Sequence, residues 1–193
     1  MKIVEREFKR EIAASAAAVL WNYWDHEHLY VVHKNYLNAF VVYEDQRMAV
    51  YLLTFRLPIF YFFTSESLNI QVQVDPETIK VFNMGLFGVP SYITITVKEE
   101  KKDFCLLTMN YKFILRGWRT ILAPFLPAMM AKWNQMVWNE DYPVKMRRHR
   151  VMRLGFKDFT GLPHKIEDRY FDGKMDLELP VKRHKKSPIN LEL

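Results

Sequence analysis

The runs Asn69-Ile70-Gln71-Val72-Gln73-Val74 and Tyr92-Ile93-Thr94-Ile95-Thr96-Val97 alternate residue by residue between polar and apolar side chains. Strict alternation puts every second side chain on one face, which is typical of a β-strand with one face buried. Residues 107–113 repeat the pattern, and turn-forming residues separate the runs. The stretch from residue 37 onward therefore predicts about six antiparallel strands, and Lys2 to Ile12 predicts one more.

A helical pattern precedes these strands. Ser15 stands directly before the run Ala16-Ala17-Ala18, where a serine hydroxyl can cap the start of a helix and alanine favours its continuation. The helical region is expected to continue through Trp24 and, after a break, to about Lys34.

A second helical pattern follows the strands. Residues 121–138 predict one helix, and Pro143 is expected to break or kink it because proline lacks a backbone donor. A further segment from Pro143 to Leu154 would end at Gly155, a residue suited to the position after a helix.

This order of elements predicts an α+β fold. A curved antiparallel sheet of about seven strands would hold a long C-terminal helix against its apolar concave face, and a cavity would remain between them. The chain of 193 residues predicts one domain at residues 1–158 and a C-terminal extension at residues 159–193, the last part of it flexible.

Composition restricts the kinds of site. Hydrophobic residues make up 50% and aromatic residues 15%, as expected for a globular chain with a large core or an apolar pocket. Cys105 is the one cysteine, so this chain alone cannot build a disulfide framework, a cysteine zinc site or a cysteine-ligated iron–sulfur cluster. In its alternating strand, Cys105 is predicted to be a buried, inert thiol.

Charge and hydropathy restrict the location and the partners. The N-terminus contains no signal peptide, and the apolar runs at residues 57–63 and 121–130 are shorter than the roughly 20 residues of a spanning helix, so a cytoplasmic protein is predicted. The net charge of +6 without a recognition motif argues against nucleic-acid binding. The basic segment 145–153 is expected to be a solvated helix face. Its functional alternative is a docking face for an electron donor or an anionic membrane.

The densest chemical signal is the segment Trp24-Asp25-His26-Glu27-His28-Leu29-Tyr30-Val31-Val32-His33. Asp25 and His28 are three residues apart and share a helix face, whereas His33 converges with His28 only if the helix kinks or ends between them. Two imidazoles and one carboxylate form the open facial triad of non-haem iron(II) oxygenases. Asp141 is the candidate carboxylate, and its alternative role is to cap the helix that begins at Pro143.

Residues 12–21 resemble the opening of the START-like helix-grip superfamily, and Asp25-x2-His28-x4-His33 resembles the catalytic domain of Rieske non-haem iron oxygenases. Glu140-Asp141-x-Pro143-Val144 resembles the late acidic motif of that domain. The resemblance implies that His28, His33 and Asp141 bind iron(II), and that Asp25 lies on the electron path from a Rieske centre. A Rieske cluster needs two cysteines and two histidines, so electrons would come from a partner protein.

Less specific interpretations remain for the same residues. His28 and His33 are alternatively polar groups satisfied near a helix end, and His26 and Glu27 are expected to be solvated or to support the ligands from behind. Phe55 and residues 60–63 are predicted to line a pocket or to pack in the core, and Met129, Met130, Trp133 and Met136 are predicted to pack against the sheet.

The leading functional hypothesis is a mononuclear non-haem iron oxygenase-like domain, without a Rieske domain, that acts on a hydrophobic small molecule. The alternative is a carrier that binds a lipid or another hydrophobic ligand without a metal. A third reading is a small subunit that uses its basic helix and tail to meet a larger chain.

Overall fold

The computed structural model describes residues 1–26, 28–57, 62–85 and 88–155. Within these ranges the strands are β1 (Lys2–Ile12), β2 (Tyr36–Glu44), β3 (Met48–Arg56), β4 (Thr64–Asp75), β5 (Thr78–Met84), β6 (Pro90–Lys101) and β7 (Phe104–Leu115). The helices are α1 (Ala16–Trp24), α2 (His28–Val32), a 3-10 helix (Gly117–Leu122) and α3 (Leu126–Arg153). The predicted boundary at residue 158 and the extension 159–193 lie outside the described residues.

All seven strands form one curved antiparallel sheet in the order β1-β7-β6-β5-β4-β3-β2. Since β1 and β2 are consecutive in the chain but lie at opposite edges, α1 and α2 must cross from one edge of the sheet to the other. α3 follows β7 and packs against α1. The predicted α+β architecture, with about seven strands and a long C-terminal helix, is confirmed.

The start of α1 follows the prediction. The Ser15 side chain accepts a hydrogen bond from the backbone N–H of Ala18, and the helix ends at Trp24. Trp24 is almost completely buried, and its indole N–H donates to Gln73 on β4 at 2.8 Å. This contact fixes the end of α1 to the sheet directly before the segment that carries the histidines.

Of the break or kink predicted at Pro143, the break is wrong, because α3 passes through this residue as one helix. An interior proline costs a helix about 3 kcal/mol. Here Lys145 donates to Asp141 across the proline at 2.6 Å, and Asp141, Lys145 and His149 are buried on both sides of it. Packing on this face keeps the two halves in one helix. The helix also begins later than predicted, because residues 117–122 form the 3-10 helix instead.

The inward face of β4 is polar, which contradicts the expectation of an apolar concave face for this strand. Its buried side chains are Ser67, Asn69, Gln71 and Gln73, whereas Leu68, Ile70 and Val74 are exposed. The polar side chains are stable in the interior because they form hydrogen bonds with α1. Gln71 donates to the backbone carbonyl of Tyr23 at 2.8 Å, and Gln73 accepts from the indole N–H of Trp24. On β7 the predicted apolar face does point inward.

Two apolar clusters fill the interior. One lies between α1 and the sheet and includes Trp21, Trp24 and Leu107. The other lies under the start of α3 and includes Val89 and Leu126. Within the part of the chain that the structure describes, no helix is both long and apolar enough to cross a bilayer.

Candidate metal centre and cavity

A cavity of about 200 Å³ lies between the sheet and α3. An engineered cavity of about 150 Å³ already holds benzene, so a small organic ligand fits this volume. Met129, Met130 and Trp133 line it from α3, and Tyr36 and Phe55 line it from the sheet. Tyr36 and Phe55 have their ring centroids 5.6 and 5.1 Å from that of Trp133, which makes one wall aromatic.

Three candidate ligands meet at this cavity. The Nε2 atoms of His28 and His33 lie 3.3 and 3.1 Å from Oδ1 of Asp141, and the three atoms lie within 4.8 Å of one another. His28 begins α2 and His33 directly follows it, so the end of this short helix allows the convergence that a regular helix forbids. All three side chains are buried.

The outer nitrogens of both imidazoles have acceptors. Nδ1 of His28 is hydrogen-bonded to the backbone carbonyl of Asp25, and Nδ1 of His33 lies 2.9 Å from Oε2 of Glu140. A carbonyl and a carboxylate can only accept, so in the neutral imidazole Nδ1 carries the proton in both rings. Each Nε2 therefore presents its lone pair toward Asp141.

This geometry fits a bound divalent metal. Three ligands at about 2.1 Å from one ion lie about 3.0–3.4 Å apart in octahedral or tetrahedral geometry, close to the two distances from Asp141. Oδ1 of Asp141 is buried without a hydrogen-bond partner in the described residues. Two lone pairs and an unpaired carboxylate oxygen repel one another unless a proton or a cation lies among them. The donor set therefore suits a metal ion.

The second oxygen of Asp141 is already paired. Lys145 lies one helical turn further along α3, is 1% exposed, and donates to Oδ2 of Asp141 at 2.6 Å. Burial raises the pKa of Asp141, but Lys145 and the two imidazoles outweigh it and hold this pKa well below its ordinary value. Burial lowers the pKa of Lys145, and Asp141 opposes that shift. The carboxylate is thus ionised and ready to bind a cation.

The two imidazoles differ electrostatically. Burial lowers the pKa of His28, and its contacts with Asp141 only partly oppose that shift. Burial also lowers the pKa of His33, but Asp141 and Glu140 together outweigh it and raise the pKa above its ordinary value. Of the two imidazoles, His33 therefore has the higher proton affinity when no metal is bound.

Asp25 contacts this centre through its backbone. Its carbonyl accepts from His28, while its carboxylate pairs with Arg148 on α3. The guanidinium of Arg148 lies over the ring of Trp21 at 4.7 Å. The side chain of Asp25 is 20% exposed, so this residue connects the protein surface to a candidate ligand.

No protein-family model and no curated protein matches this chain. Solved structures do match. The Zhui aromatase/cyclase from Streptomyces sp. R1128 has a TM-score of 0.60 and 12% identity over 80% of this chain and 99% of its own. A START superfamily protein from Mycobacterium smegmatis has a TM-score of 0.57 and 11% identity over 78% of this chain and 98% of its own.

A third match is a longer protein. Dicamba monooxygenase bound to dicamba has a TM-score of 0.56 and 13% identity, and the match covers 82% of this chain and 53% of that one. The chain has a START-like helix-grip fold.

The structure contradicts three roles that the sequence suggested for residues near the site. His26 is not solvated: it is buried against Tyr51, lines the cavity of the helix-grip domain, and has no hydrogen-bond partner for its ring nitrogens in the described residues. The basic segment of α3 is not a uniformly solvated face, because Lys145 and Arg148 turn inward to Asp141 and Asp25. Asp141 is not a helix cap, since it lies in the interior of α3.

Other predicted residues divide between the cavity and the surface. Phe55 lines the cavity, whereas Phe62 and Phe63 are exposed, and Phe60, Tyr61 and Glu27 lie outside the described residues. Cys105 is buried, and burial raises its pKa to about 12, which agrees with an inert thiol.

Sequence reasoning missed the residues that support the ligands. Glu140 contacts Nδ1 of His33, and Lys145 donates to the carboxylate of Asp141. The spacing of Asp141 and Lys145 by four residues on a helix was the signal that could have revealed their pairing. It also missed the polar wall of the cavity, where Ser67 and Asn69 face the ligand space. The alternation of β4 showed these residues on one face but not which face was buried.

The Glu140–His33 contact makes a testable prediction. Replacing Glu140 with glutamine removes the charge that fixes the His33 ring, and we expect metal affinity to fall about 10–100-fold while the fold is kept. Titration with cobalt(II), followed by its visible absorbance, measures the change in metal affinity. Gln135→Glu, on the exposed side of the same helix, is the matched control, and an unchanged affinity in Glu140→Gln would remove Glu140 from the site.

Proposed function

We propose that this chain is a mononuclear non-haem iron domain, of the oxygenase type, that acts on a hydrophobic small molecule bound in the helix-grip cavity. The observation that supports this proposal is the convergence of His28, His33 and Asp141 on one point at the cavity wall. Two imidazoles and one carboxylate with open positions are the ligand set of iron(II) oxygenases.

Each residue around the proposed iron site would have a distinct role. His28, His33 and Asp141 would hold iron(II), which supplies dioxygen activation when it is bound. The Asp25 carbonyl and Glu140 accept from Nδ1 of His28 and His33, which directs each Nε2 at the ion. Burial of the three ligands excludes bulk water from the centre.

Substrate position follows from the wall next to His33. The ring of Tyr36 lies 4.9 Å from that of His33 and contacts Trp133, so an apolar body packed on this aromatic wall lies directly beside the metal ligands. Ser67 and Asn69 on the opposite wall offer hydrogen bonds to an oxygen or nitrogen of the ligand. The proposed substrate is therefore a small, mainly apolar molecule with one polar group.

Electrons would come from a separate protein. The single cysteine of this chain cannot ligate a Rieske cluster, and Asp25 is the proposed entry point because it joins the surface to His28. Three exposed arginines lie near Arg148, the partner of Asp25, at the C-terminal end of α3: Arg147, Arg150 and Arg153. Their charge suits a negatively charged donor protein.

Anaerobic titration of tag-free, metal-stripped protein with iron(II) tests the proposal. We expect one ion per chain, and we expect zinc(II) to compete for the same site. Dioxygen consumption should then require both a reductase system and a hydrophobic substrate. Failure of the wild-type chain to bind iron(II) under these conditions contradicts the proposal.

The second candidate is a metal-free carrier of a hydrophobic ligand. It is favoured by Lys145, which neutralises Asp141 and lets the buried centre persist without an ion. Native mass spectrometry separates the two candidates. A co-purified organic ligand that stays bound in the His28→Ala/His33→Ala variant, in a chain without iron, selects the carrier.

A further inference from the structure

Three connections lie at the same end of the antiparallel sheet. Their described residues are 57 and 62–63 between β3 and β4, 85 and 88–89 between β5 and β6, and 116–125 between β7 and α3. The pairings Arg56 with Thr64, Met84 with Pro90, and Leu115 with Lys2 place them there together. We call this set the rim. None of its residues is acidic, and the chain has no Asp or Glu from Phe104 to Asn139.

The rim exposes large apolar side chains. Trp118, Ile121 and Phe125 are 65%, 69% and 65% exposed, and Phe62 on a neighbouring connection is 78% exposed. Trp118 and Ile121 are three residues apart in the 3-10 helix, so they project from the same side. Water-exposed aromatic side chains grouped at one end of a domain mark an interaction surface.

Arginines accompany these apolar side chains. Arg116 is exposed directly before the 3-10 helix, and the guanidinium of Arg119 lies over the Trp118 ring at 5.6 Å. Arg119 also lies beside Gly88, which joins the 3-10 helix to the connection between β5 and β6. Tryptophan and arginine together, without an acid, are the side chains favoured where acyl chains meet anionic headgroups.

The rim borders the cavity. Leu57, Gly85 and Val89 belong to the rim connections and line the cavity. The connection that begins at Leu57 also lies next to the segment after His33, because the backbone N–H of Arg56 donates to the carbonyl of Asn35 at 2.8 Å. A surface that covers the rim therefore lies against part of the cavity lining.

We infer that the rim docks on an anionic lipid bilayer, with Trp118, Ile121 and Phe125 inserted among the acyl chains and Arg116 at the headgroups. This inference does not depend on a metal. The proposed membrane-contact surface lies at the start of α3. The basic segment at the other end of this helix is less suitable, because Lys145 and Arg148 are buried there.

Vesicle co-sedimentation of the full chain tests the inference. With vesicles of phosphatidylcholine plus phosphatidylglycerol, we expect binding that weakens with salt and that is about tenfold weaker on phosphatidylcholine alone. The variant Trp118→Thr/Ile121→Thr/Phe125→Thr should bind at least about tenfold more weakly, since it removes the inserted side chains. The matched control, Leu52→Thr/Ile70→Thr/Phe82→Thr, removes three exposed apolar side chains from the outer face of the sheet and should bind like the wild type.

Brominated acyl chains report insertion directly. Of the five tryptophans, Trp118 is exposed on the rim, Trp21 and Trp24 are buried, and Trp133 and Trp138 are partly buried on α3. Most of the lipid quenching should therefore be lost in Trp118→Phe while binding persists. Absence of wild-type binding to either vesicle overturns the inference, and so does equal binding by the rim variant. Capture of a protein partner by the rim in the absence of vesicle binding also overturns it.

Discussion

Replacing Asp141 with asparagine is expected to abolish iron(II) binding and to lower the free energy of unfolding of the metal-free chain by about 3–5 kcal/mol. The amide removes the anionic ligand, which accounts for the loss of the metal. It also leaves Lys145 as a buried cation without a counter-ion, which accounts for the loss of stability. Denaturant unfolding of stripped protein and anaerobic iron(II) titration measure the two effects separately.

The double variant Asp141→Asn/Lys145→Met is the control. Methionine removes the buried charge, so most of the lost stability should return while iron(II) still fails to bind. The single variant Lys145→Met should also be less stable without metal, but its carboxylate keeps its charge, so iron(II) should bind more tightly. If Asp141→Asn is as stable as the wild type, the buried pair does not have the role assigned to it.

Replacing Trp24 with alanine is expected to lower the free energy of unfolding by about 3–5 kcal/mol, because it empties a buried aromatic site. It also leaves the amide of Gln73 without the indole donor. The end of α1 is then released from β4, directly before Asp25 and His28, so metal affinity should fall as well. Thermal unfolding and cobalt(II) titration follow both properties.

Trp24→Phe is the matched variant. It keeps most of the buried volume and removes the hydrogen bond to Gln73, and we expect a loss of about 1–2 kcal/mol with the metal site retained. Equal losses of metal affinity in the two variants would show that the indole hydrogen bond, and not the packing of the ring, positions the histidine segment.

Local signals were enough for most of the fold. Ser15 before an alanine run and the alternation on β6 and β7 each predict their element without knowledge of the rest of the chain. Pro143 misled the prediction because its local cost is outweighed by contacts that only the folded protein makes. On β4, alternation identified the two faces, but the polar face turned inward because α1 supplies its hydrogen-bond partners.

The sequence could propose the three residues of the candidate centre but not all of the residues that support them. Spacing and the resemblance singled out His28, His33 and Asp141, and the structure brings them together. The inward position of Arg148 was not predictable, because a basic side chain on a helix is solvated unless a buried acid faces it. That acid is supplied by a segment distant in the chain, as the Asp25–Arg148 pair shows.

The partners at this centre are separated by 123 residues in the Asp25–Arg148 pair and by 107 in the His33–Glu140 pair. A nascent polypeptide on the ribosome therefore carries its histidines long before α3 has been synthesised. In the proposed iron domain, iron(II) that reached the chain at that stage would meet only two imidazoles, so the three-residue site forms only after α3 is complete and packed. Until then the two imidazoles are open to other ions that imidazole binds, such as copper and zinc.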